Sequence, residues 1–313
     1  MEDNNLIILF IILYLFIIVI YTVVPEINKL YISLFVLIGI SLIYLLNNSN
    51  IKLKEYFQSS PKIVISLTTS PKRIEFLEPL FQNLMNQTVK PDIIVLNLPH
   101  IFKRTQTIFK ELPSFITSNS LIQINRCEDI GPATKIIPTA KLFEDPDTIL
   151  ISIDDDIKYR NNFIETLLKY EKLAPNAVIT GESYMRIDNS KNNSLSYGEL
   201  VEGYSSVLYK KKYLDNFNIE TLLNYPKECY FADDFILSNY LKKQGIDIVI
   251  TNEPENNKTT VDIYLDYGNN EDALRNGADG NTNGNIENYK KCSKYLKSNN
   301  ELYIKYYQDT KNE

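Results

Sequence analysis

Three consecutive aspartates, Asp154, Asp155 and Asp156, directly follow the apolar run Ile149–Ile153. A short run rich in β-branched residues predicts a buried strand of a parallel sheet, and open α/β sheets bind ligands at the carboxyl ends of such strands. Crowded carboxylates repel one another unless a cation neutralises them, and their oxygens suit Mg²⁺ or Mn²⁺. Since Mg²⁺ is typically shared with substrate phosphates, the triplet predicts a metal site for a phosphate-bearing substrate; the alternative is a solvated acidic turn.

A second acidic pair, Asp233 and Asp234, opens an amphipathic segment that runs to Lys243. Two carboxylates at the start of a helix can be N-terminal caps that the helix dipole stabilises. They can also supply the acid–base residue of an enzyme, because a carboxylate can accept a proton from a reacting hydroxyl. The residues alone leave both interpretations open.

Two further segments place cations beside hydroxyl groups or a helix start. Thr68, Thr69 and Arg73 follow the apolar run Ile63–Leu67. They can bind a nucleotide through hydroxyl and guanidinium contacts, or they can form an ordinary polar turn. Lys135 lies where a predicted helix begins, and such a position can bind an anion or can be a plain helix start.

Strands alternate with helical patterns along the sequence that follows residue 60. The predicted strands are Ile63–Leu67, Ile93–Leu98, Leu121–Asn125 and Thr148–Ile153, and the predicted helices are Phe76–Met85, Ile108–Ser118 and Ala133–Phe143. This alternation predicts βαβ units joined by right-handed crossovers. The fold class is therefore expected to be α/β with a mostly parallel central sheet.

A family resemblance rests on three segments: VISLTTSPKRI (Val64–Ile74), EDIGPATKIIP (Glu128–Pro138) and ILISIDDDIKY (Ile149–Tyr159). Their order and spacing resemble glycosyltransferases of the GT-A fold, in the broad family-2-like group, over roughly Pro61–Cys292. The resemblance implies a Rossmann-like nucleotide-diphospho-sugar transferase domain with a DxD motif after the fourth strand. It also implies a nucleotide-sugar donor, with a UDP-sugar favoured, whose diphosphate is bridged by Mn²⁺ or Mg²⁺.

The same resemblance implies roles for individual residues. Asp156 is implied as the main metal ligand, and Asp154 as a second ligand that lies toward the ribose. Asp234 is in the register of the base that takes the proton of the acceptor hydroxyl in an inverting enzyme, and Asp233 is kept as an alternative. The implied donor-binding residues are Thr68, Thr69, Arg73, Lys135, Asp154 and Asp155. The implied acceptor-side residues are Gly203, Tyr204 and Ser205.

The implied reaction is metal-dependent transfer of a sugar from a nucleotide-sugar to an acceptor hydroxyl, with inversion, as in the hexosyltransferases of class EC 2.4. A glycan, a protein and a lipid are all open as acceptors. Two other functions are compatible with the same residues. One is a metal-dependent nucleotidyltransferase, and the other is a catalytically inactive, membrane-tethered sugar-binding protein.

The N-terminal part of the sequence predicts attachment to a lipid bilayer. Residues 6–24 and 30–46 are two uncharged apolar segments near the length that a helix needs to cross a bilayer. They predict two spans, or one span followed by an interfacial helix. The expected organisation is a membrane hairpin at 1–46, a polar tether at 47–60, the GT-A domain at 61–300 and a C-terminal tail at 301–313.

Charge predicts the side of the membrane and the class of partner. Lys52, Lys54 and Lys62 follow the second apolar segment while nothing basic precedes the first, so the positive-inside rule predicts a cytosolic catalytic domain. The net charge of −6 and the pI near 5.1 argue against a nucleic-acid partner, because general nucleic-acid binders are usually basic.

The three cysteines, Cys127, Cys229 and Cys292, have no metal-ligand spacing. Their odd number predicts no disulfide framework, and a reducing compartment is the simpler interpretation. The single histidine, His100, excludes a catalytic scheme that needs two histidines.

Overall fold

The computed structural model describes residues 61–183, 185–187, 195–251, 260–265 and 284–305. These residues all belong to one unit, Pro61–Glu313. The predicted membrane segments at 6–24 and 30–46 and the predicted tether at 47–60 lie outside the described residues. Within the described ranges, every helix falls short of the length and apolarity that a membrane span needs.

Strands and helices alternate in the first half of the domain, and short strands and turns dominate the second. The described strands are β1 (Ile63–Thr68), β2 (Ile93–Pro99), β3 (Ile122–Cys127), β4 (Ile149–Ser152), β5 (Ile157–Tyr159), β6 (Val178–Thr180), β7 (Arg186–Ile187), β8 (Ser196–Gly198), β9 (Val207–Lys210), β10 (Ile248–Ile250) and β11 (Val261–Tyr264). The described helices are α1 (Glu78–Met85), α2 (Ser114–Thr117), α3 (Ile137–Ala140), α4 (Phe163–Leu173), α5 (Ile219–Asn224), α6 (Lys227–Tyr230), α7 (Asp233–Lys243) and α8 (Gly284–Ser298).

Nine of these strands form one sheet in the order β3-β2-β1-β4-β9-β6-β10-β8-β7, and β5 pairs with β11 in a second sheet. β3, β2, β1 and β4 are parallel to one another. β9 is antiparallel to both β4 and β6, and β8 is antiparallel to β10 and β7. The α/β fold is confirmed, but the sheet is mixed rather than mostly parallel. No α-helix lies between β6 and β9 in the described part of that segment, and antiparallel neighbours need no helical crossover.

Both faces of the large sheet are buried. Along β1, Val64 packs into one apolar core while Ile65 and Leu67 pack into the other. Helices α3, α7 and α8 contribute to the first core, and α1 and α4 contribute to the second. Side chains alternate along a strand, so both faces of the sheet are filled by core side chains. A ligand site is therefore expected in the loops at the strand ends.

The predicted helix Ala133–Phe143 is instead a 3₁₀ turn, Ala133–Lys135, followed by the short helix α3. Ile136 departs from helical geometry, with φ −134° and ψ −44°. Pro138 stands in the first turn of α3, where a residue without an N–H is tolerated. The chain therefore bends directly after Lys135.

Cys229 of α6 and Cys292 of α8 form a disulfide, and both side chains are fully buried. The prediction of no disulfide was wrong, because the fold brings together two cysteines that lie 63 residues apart. Cys127 is left as the free thiol. Since disulfides persist mainly in oxidising compartments, the interpretation of a reducing compartment loses its basis.

Residues 301–305 belong to the packed domain rather than to a tail. Leu302 and Ile304 are buried. The Asn239 side chain of α7 donates a hydrogen bond to the Glu301 carbonyl (2.9 Å) and accepts one from the Tyr303 N–H (2.7 Å). The boundary predicted at residue 300 is therefore too early.

Candidate active site

A cleft of about 870 Å³ opens at the carboxyl ends of β1, β2 and β4. Its other wall comes from the start of α7 and from the first turns of α8. The predicted site residues that line it are Thr68, Thr69, Arg73, Lys135, Asp154, Asp155, Asp156, Tyr204, Asp233 and Asp234. The remaining two, Gly203 and Ser205, lie behind this surface.

Asp155 connects the loop after β1 to the loop after β4. Thr69 Oγ1 donates a hydrogen bond to Asp155 Oδ2 (2.6 Å), and Arg73 Nη1 donates one to Asp155 Oδ1 (2.8 Å). Burial raises the pKa of Asp155, and the nearby Arg73 charge and Thr69 hydroxyl oppose that shift. The same guanidinium nitrogen lies 3.3 Å from Asp156 Oδ2. Asp155 therefore holds two of the predicted donor-binding residues in place.

Thr68 is held from the neighbouring strand. Its Oγ1 donates a hydrogen bond to the carbonyl of Asn97 in β2 (2.8 Å), and the residue lines the cleft at the end of β1. A hydroxyl that donates to the protein can still accept a hydrogen bond, so Thr68 remains suited to a ligand donor group.

Lys135 joins the two acidic clusters. Its ammonium lies 2.9 Å from Asp154 Oδ1, 3.1 Å from Asp233 Oδ2 and 3.7 Å from Asp234 Oδ1. Burial disfavours the charged ammonium, but attraction to these three carboxylates outweighs burial and holds the pKa of Lys135 well above its usual value. The lysine is therefore a permanent cation at the centre of the cleft.

The acidic pair at the start of α7 faces this ammonium. Ala232 occupies the cap position of the helix, and both aspartates lie in the first turn, where the helix dipole also stabilises them. Asp234 Oδ2 accepts a hydrogen bond from the Gly203 N–H (3.0 Å). Burial raises the pKa of Asp233 and raises that of Asp234 strongly, while the charge of Lys135 opposes both shifts. A carboxylate with a raised pKa is a better proton acceptor near neutral pH.

Gly203 packs directly against the charged cluster. A Cβ atom at this position would overlap Lys135 Nζ and would lie 2.9 Å from Lys135 Cε and 3.0 Å from Asp234 Oδ1. A larger residue would therefore displace the lysine, and the close approach at Gly203 is to Lys135 and not to a ligand.

Tyr204 and Ser205 differ in their placement. The Tyr204 hydroxyl donates a hydrogen bond to the Glu182 carboxylate, and the residue lines the cleft. Ser205 is fully buried, donates to the Glu202 carbonyl (2.9 Å) and accepts from the Glu182 N–H (2.8 Å). Tyr204 can meet a ligand, whereas Ser205 fixes the backbone behind it.

Tyr159 is a site residue to which the sequence analysis gave no role. Its hydroxyl accepts a hydrogen bond from the Asp154 N–H (3.0 Å) and donates one to the Tyr204 carbonyl (3.0 Å). The side chain is fully buried, and burial holds the pKa of Tyr159 well above its usual value. Tyr159 ends the third of the segments that carry the family resemblance. That position could have indicated a role in the site, because a buried tyrosine hydroxyl usually has a hydrogen-bond partner.

Asp129 organises the β2 side of the cleft and was also missed. Its Oδ1 accepts hydrogen bonds from the Gly131 N–H (2.9 Å) and the Tyr230 hydroxyl (3.2 Å). Nearby, the Arg104 guanidinium lies 4.6 Å from the centre of the Phe102 ring, and both residues line the cleft. A planar cation on an aromatic ring offers a stacking surface for a flat ligand group.

The acidic residues fit a divalent cation only if a ligand shares it. Asp154 and Asp156 line the cleft, where Asp154 Oδ1 pairs with Lys135 and Asp156 Oδ2 pairs with Arg73. Among the described residues, no group of three or more His, Cys, Asp or Glu could hold an ion. Two carboxylates completed by phosphate oxygens match the usual Mg²⁺ arrangement.

No protein-family model matches the chain, and no curated protein matches it. One similar solved structure is a mannosyltransferase from Pyrobaculum calidifontis, in complex with GDP-Man and Mn²⁺. The match has a TM-score of 0.42 and 14% sequence identity, and it covers 63% of this chain and 56% of that one. The chain therefore spans less than two thirds of that protein.

Proposed function

We propose that this protein is a glycosyltransferase that moves a sugar from a nucleotide-sugar donor to an acceptor hydroxyl, with inversion and with help from Mn²⁺ or Mg²⁺. One observation carries the proposal. The Asp154–Asp156 cluster and the Asp233–Asp234 pair face the same cleft and meet at one ammonium, that of Lys135. Transfer of a sugar needs these two parts side by side, one for the leaving diphosphate and one for the incoming hydroxyl.

The donor part comprises the loops after β1 and β4. Asp154 and Asp156 would hold the divalent cation together with the donor diphosphate, and the bound cation would offset the charge of the departing nucleoside diphosphate. Arg73 keeps Asp155 and Asp156 in position from the side of β1. Thr68 lines the same end of the cleft, where it can accept a hydrogen bond from the nucleoside.

The acceptor part is centred on Asp234. Its carboxylate takes the proton of the acceptor hydroxyl while the acceptor oxygen bonds to the anomeric carbon, and the bond from that carbon to the diphosphate oxygen breaks. Asp234 is preferred over Asp233 as the base because the Gly203 N–H fixes one of its oxygens. Tyr204, which lines the cleft beside it, is positioned to contact the acceptor.

A panel of UDP- and GDP-sugars with Mn²⁺ tests the proposal through its products. A glycosyltransferase releases a nucleoside diphosphate, and a UDP-sugar is the expected donor. Release of pyrophosphate would instead identify a nucleotidyltransferase. Binding of a donor, seen as a thermal shift, without any turnover would identify an inactive sugar-binding protein.

We also propose that the predicted spans at 6–24 and 30–46 attach the enzyme to a bilayer, which suits a lipid-linked acceptor. Two observations disagree about the side of the membrane on which the catalytic domain lies. The lysines after the second span predict a cytosolic domain, whereas the buried Cys229–Cys292 disulfide favours an oxidising compartment. Protease treatment of sealed vesicles whose cytosolic side faces outward distinguishes the two locations. A protected domain supports the oxidising compartment that the disulfide favours, and a digested domain supports the cytosolic location that the charge rule predicts.

A further inference from the structure

We propose that Lys135 is a positioning residue that holds the base Asp234 in place relative to Asp154, and that it does not bind the donor diphosphate. This inference rests on the proposed transferase function. It replaces the donor-binding role that the family resemblance implies for this lysine.

The ion pairs of the ammonium support the inference. Lys135 Nζ donates a hydrogen bond to Asp154 Oδ1. Asp154, Asp233 and Asp234 each place a carboxylate oxygen near Nζ, at 2.9, 3.1 and 3.7 Å. The lysine side chain is only 8% exposed. A diphosphate oxygen would therefore have to compete for the ammonium with three carboxylates that already surround it.

The surroundings fix the ammonium from the backbone outward. The Lys135 carbonyl accepts hydrogen bonds from Ser66 Oγ (2.5 Å) and from Asn97 Nδ2 (3.4 Å), and both partners are fully buried. Gly203 covers the other side so closely that no Cβ atom fits beside Nζ. A side chain that is held at its backbone and enclosed at its tip is suited to orient other groups.

The three carboxylates that meet at Lys135 come from distant parts of the chain. Asp154 follows β4, whereas Asp233 and Asp234 begin α7. Like charges that are brought together in this way repel one another without a cation between them. The ammonium therefore sets the distance between the donor part and the base. Its loss should slow the transfer step while leaving the contacts of the nucleoside and diphosphate in place.

Two variants and one control test this role. Lys135→Met removes the charge, and Gly203→Ala keeps every charge but forces Lys135 Nζ to move. The control is Lys212→Met, which breaks an exposed ion pair with Asp147 (2.7 Å) beside the opposite end of β4. If Lys135→Met does not fold, Gly203→Ala still carries the test through nucleotide binding, because it moves Lys135 Nζ and retains the ammonium. Its loss of kcat also includes the contact of the new Cβ with Asp234 Oδ1 (3.0 Å).

The measurements are kcat at saturating donor and the dissociation constants of UDP and GDP, each with Mn²⁺, by calorimetry. We expect both test variants to lose roughly 100-fold in kcat, the order that a misplacement of roughly 1 Å costs. We expect the dissociation constant of the nucleoside diphosphate that binds the wild type to change little. The control should match the wild type in both measurements.

The contrary result is nucleotide binding that weakens by about tenfold or more while kcat at saturation is kept, since that is the signature of a ligand contact. Wild-type values in both test variants would also overturn the inference. The binding measurement does not depend on turnover. If the wild type binds UDP or GDP but transfers no sugar, the proposed function fails, and weaker nucleotide binding by Lys135→Met would separately overturn the role of the lysine.

Discussion

The hydroxyl of Tyr159 lies 3.0 Å from the main-chain carbonyl oxygen of Tyr204 and donates a hydrogen bond to it. The same hydroxyl accepts a hydrogen bond from the Asp154 N–H (3.0 Å). One buried phenol thus connects the acidic loop after β4 to the segment beside the predicted base. Together with Lys135, it fixes the geometry between the two halves of the cleft.

Removing that hydroxyl should cost both stability and activity. Tyr159→Phe leaves the partly buried Asp154 N–H and Tyr204 carbonyl without this partner, which should lower the free energy of unfolding by about 1–3 kcal/mol. Urea unfolding measures this change, and kcat should fall in the same variant. The matched control is Tyr213→Phe, whose hydroxyl donates to the Pro175 carbonyl (3.2 Å) away from the cleft. Equal losses of kcat in both variants would contradict the role assigned to Tyr159.

The Cys229–Cys292 disulfide should stabilise the domain substantially. It closes a loop across a separation of 63 residues, for which chain entropy predicts about 4 kcal/mol. Reduction should therefore lower the free energy of unfolding by about that amount. It should also lower activity, because α8 carries Cys292 and its first turns line the cleft. Cys127→Ser serves as the control. An unfolding transition that stays the same with and without reductant would argue against the Cys229–Cys292 bond.

The thiol of Cys127 should react slowly in the folded protein. Burial, aided by the negative charge of Asp129, raises the pKa of Cys127 to about 12, so the reactive thiolate is scarce at mildly alkaline pH. A colorimetric thiol reagent should modify the Cys127 thiol slowly in the folded chain, and it should modify the same thiol rapidly after unfolding without reductant. All 3 cysteines should react after unfolding with reductant. Rapid modification of the folded protein would show that the thiol is accessible and ionised.

The acid side of the pH–activity profile should report Asp234. A general base acts in its ionised form, so kcat should fall as the pH drops through its pKa. Burial raises the pKa of Asp234 well above the usual 3.8, and Lys135 opposes the shift. The acid limb should therefore lie above 3.8 in the wild type and move to higher pH in Lys135→Met. A limb that moves to lower pH in that variant would be inconsistent with this electrostatic account.

Local patterns were enough to predict the elements that carry the acidic residues. The strands β1, β2 and β4 end one residue from their predicted positions, because a buried strand is determined by its own side chains. The position of Asp154–Asp156 at the end of β4 followed from the same pattern.

Contacts between distant segments were not predictable in this way. The helix expected at Ala133–Phe143 breaks at Ile136, where the buried hydrogen bonds of the Lys135 carbonyl stabilise a turn. The role of Lys135 depends on carboxylates from two other segments, and the Cys229–Cys292 pair depends on the packing of α6 against α8. The mixed order of the sheet likewise depends on how β9 inserts between β4 and β6.

The most direct measurement is release of nucleoside diphosphate by Asp156→Ala and Asp234→Asn across a titration with Mn²⁺. Asp147→Asn, which alters an exposed carboxylate just before β4, is the control. We expect Asp156→Ala to need more Mn²⁺ and to turn over slowly. We expect Asp234→Asn to stay nearly inactive at every Mn²⁺ concentration and the control to behave as the wild type. Wild-type turnover in both active-site variants would contradict the account.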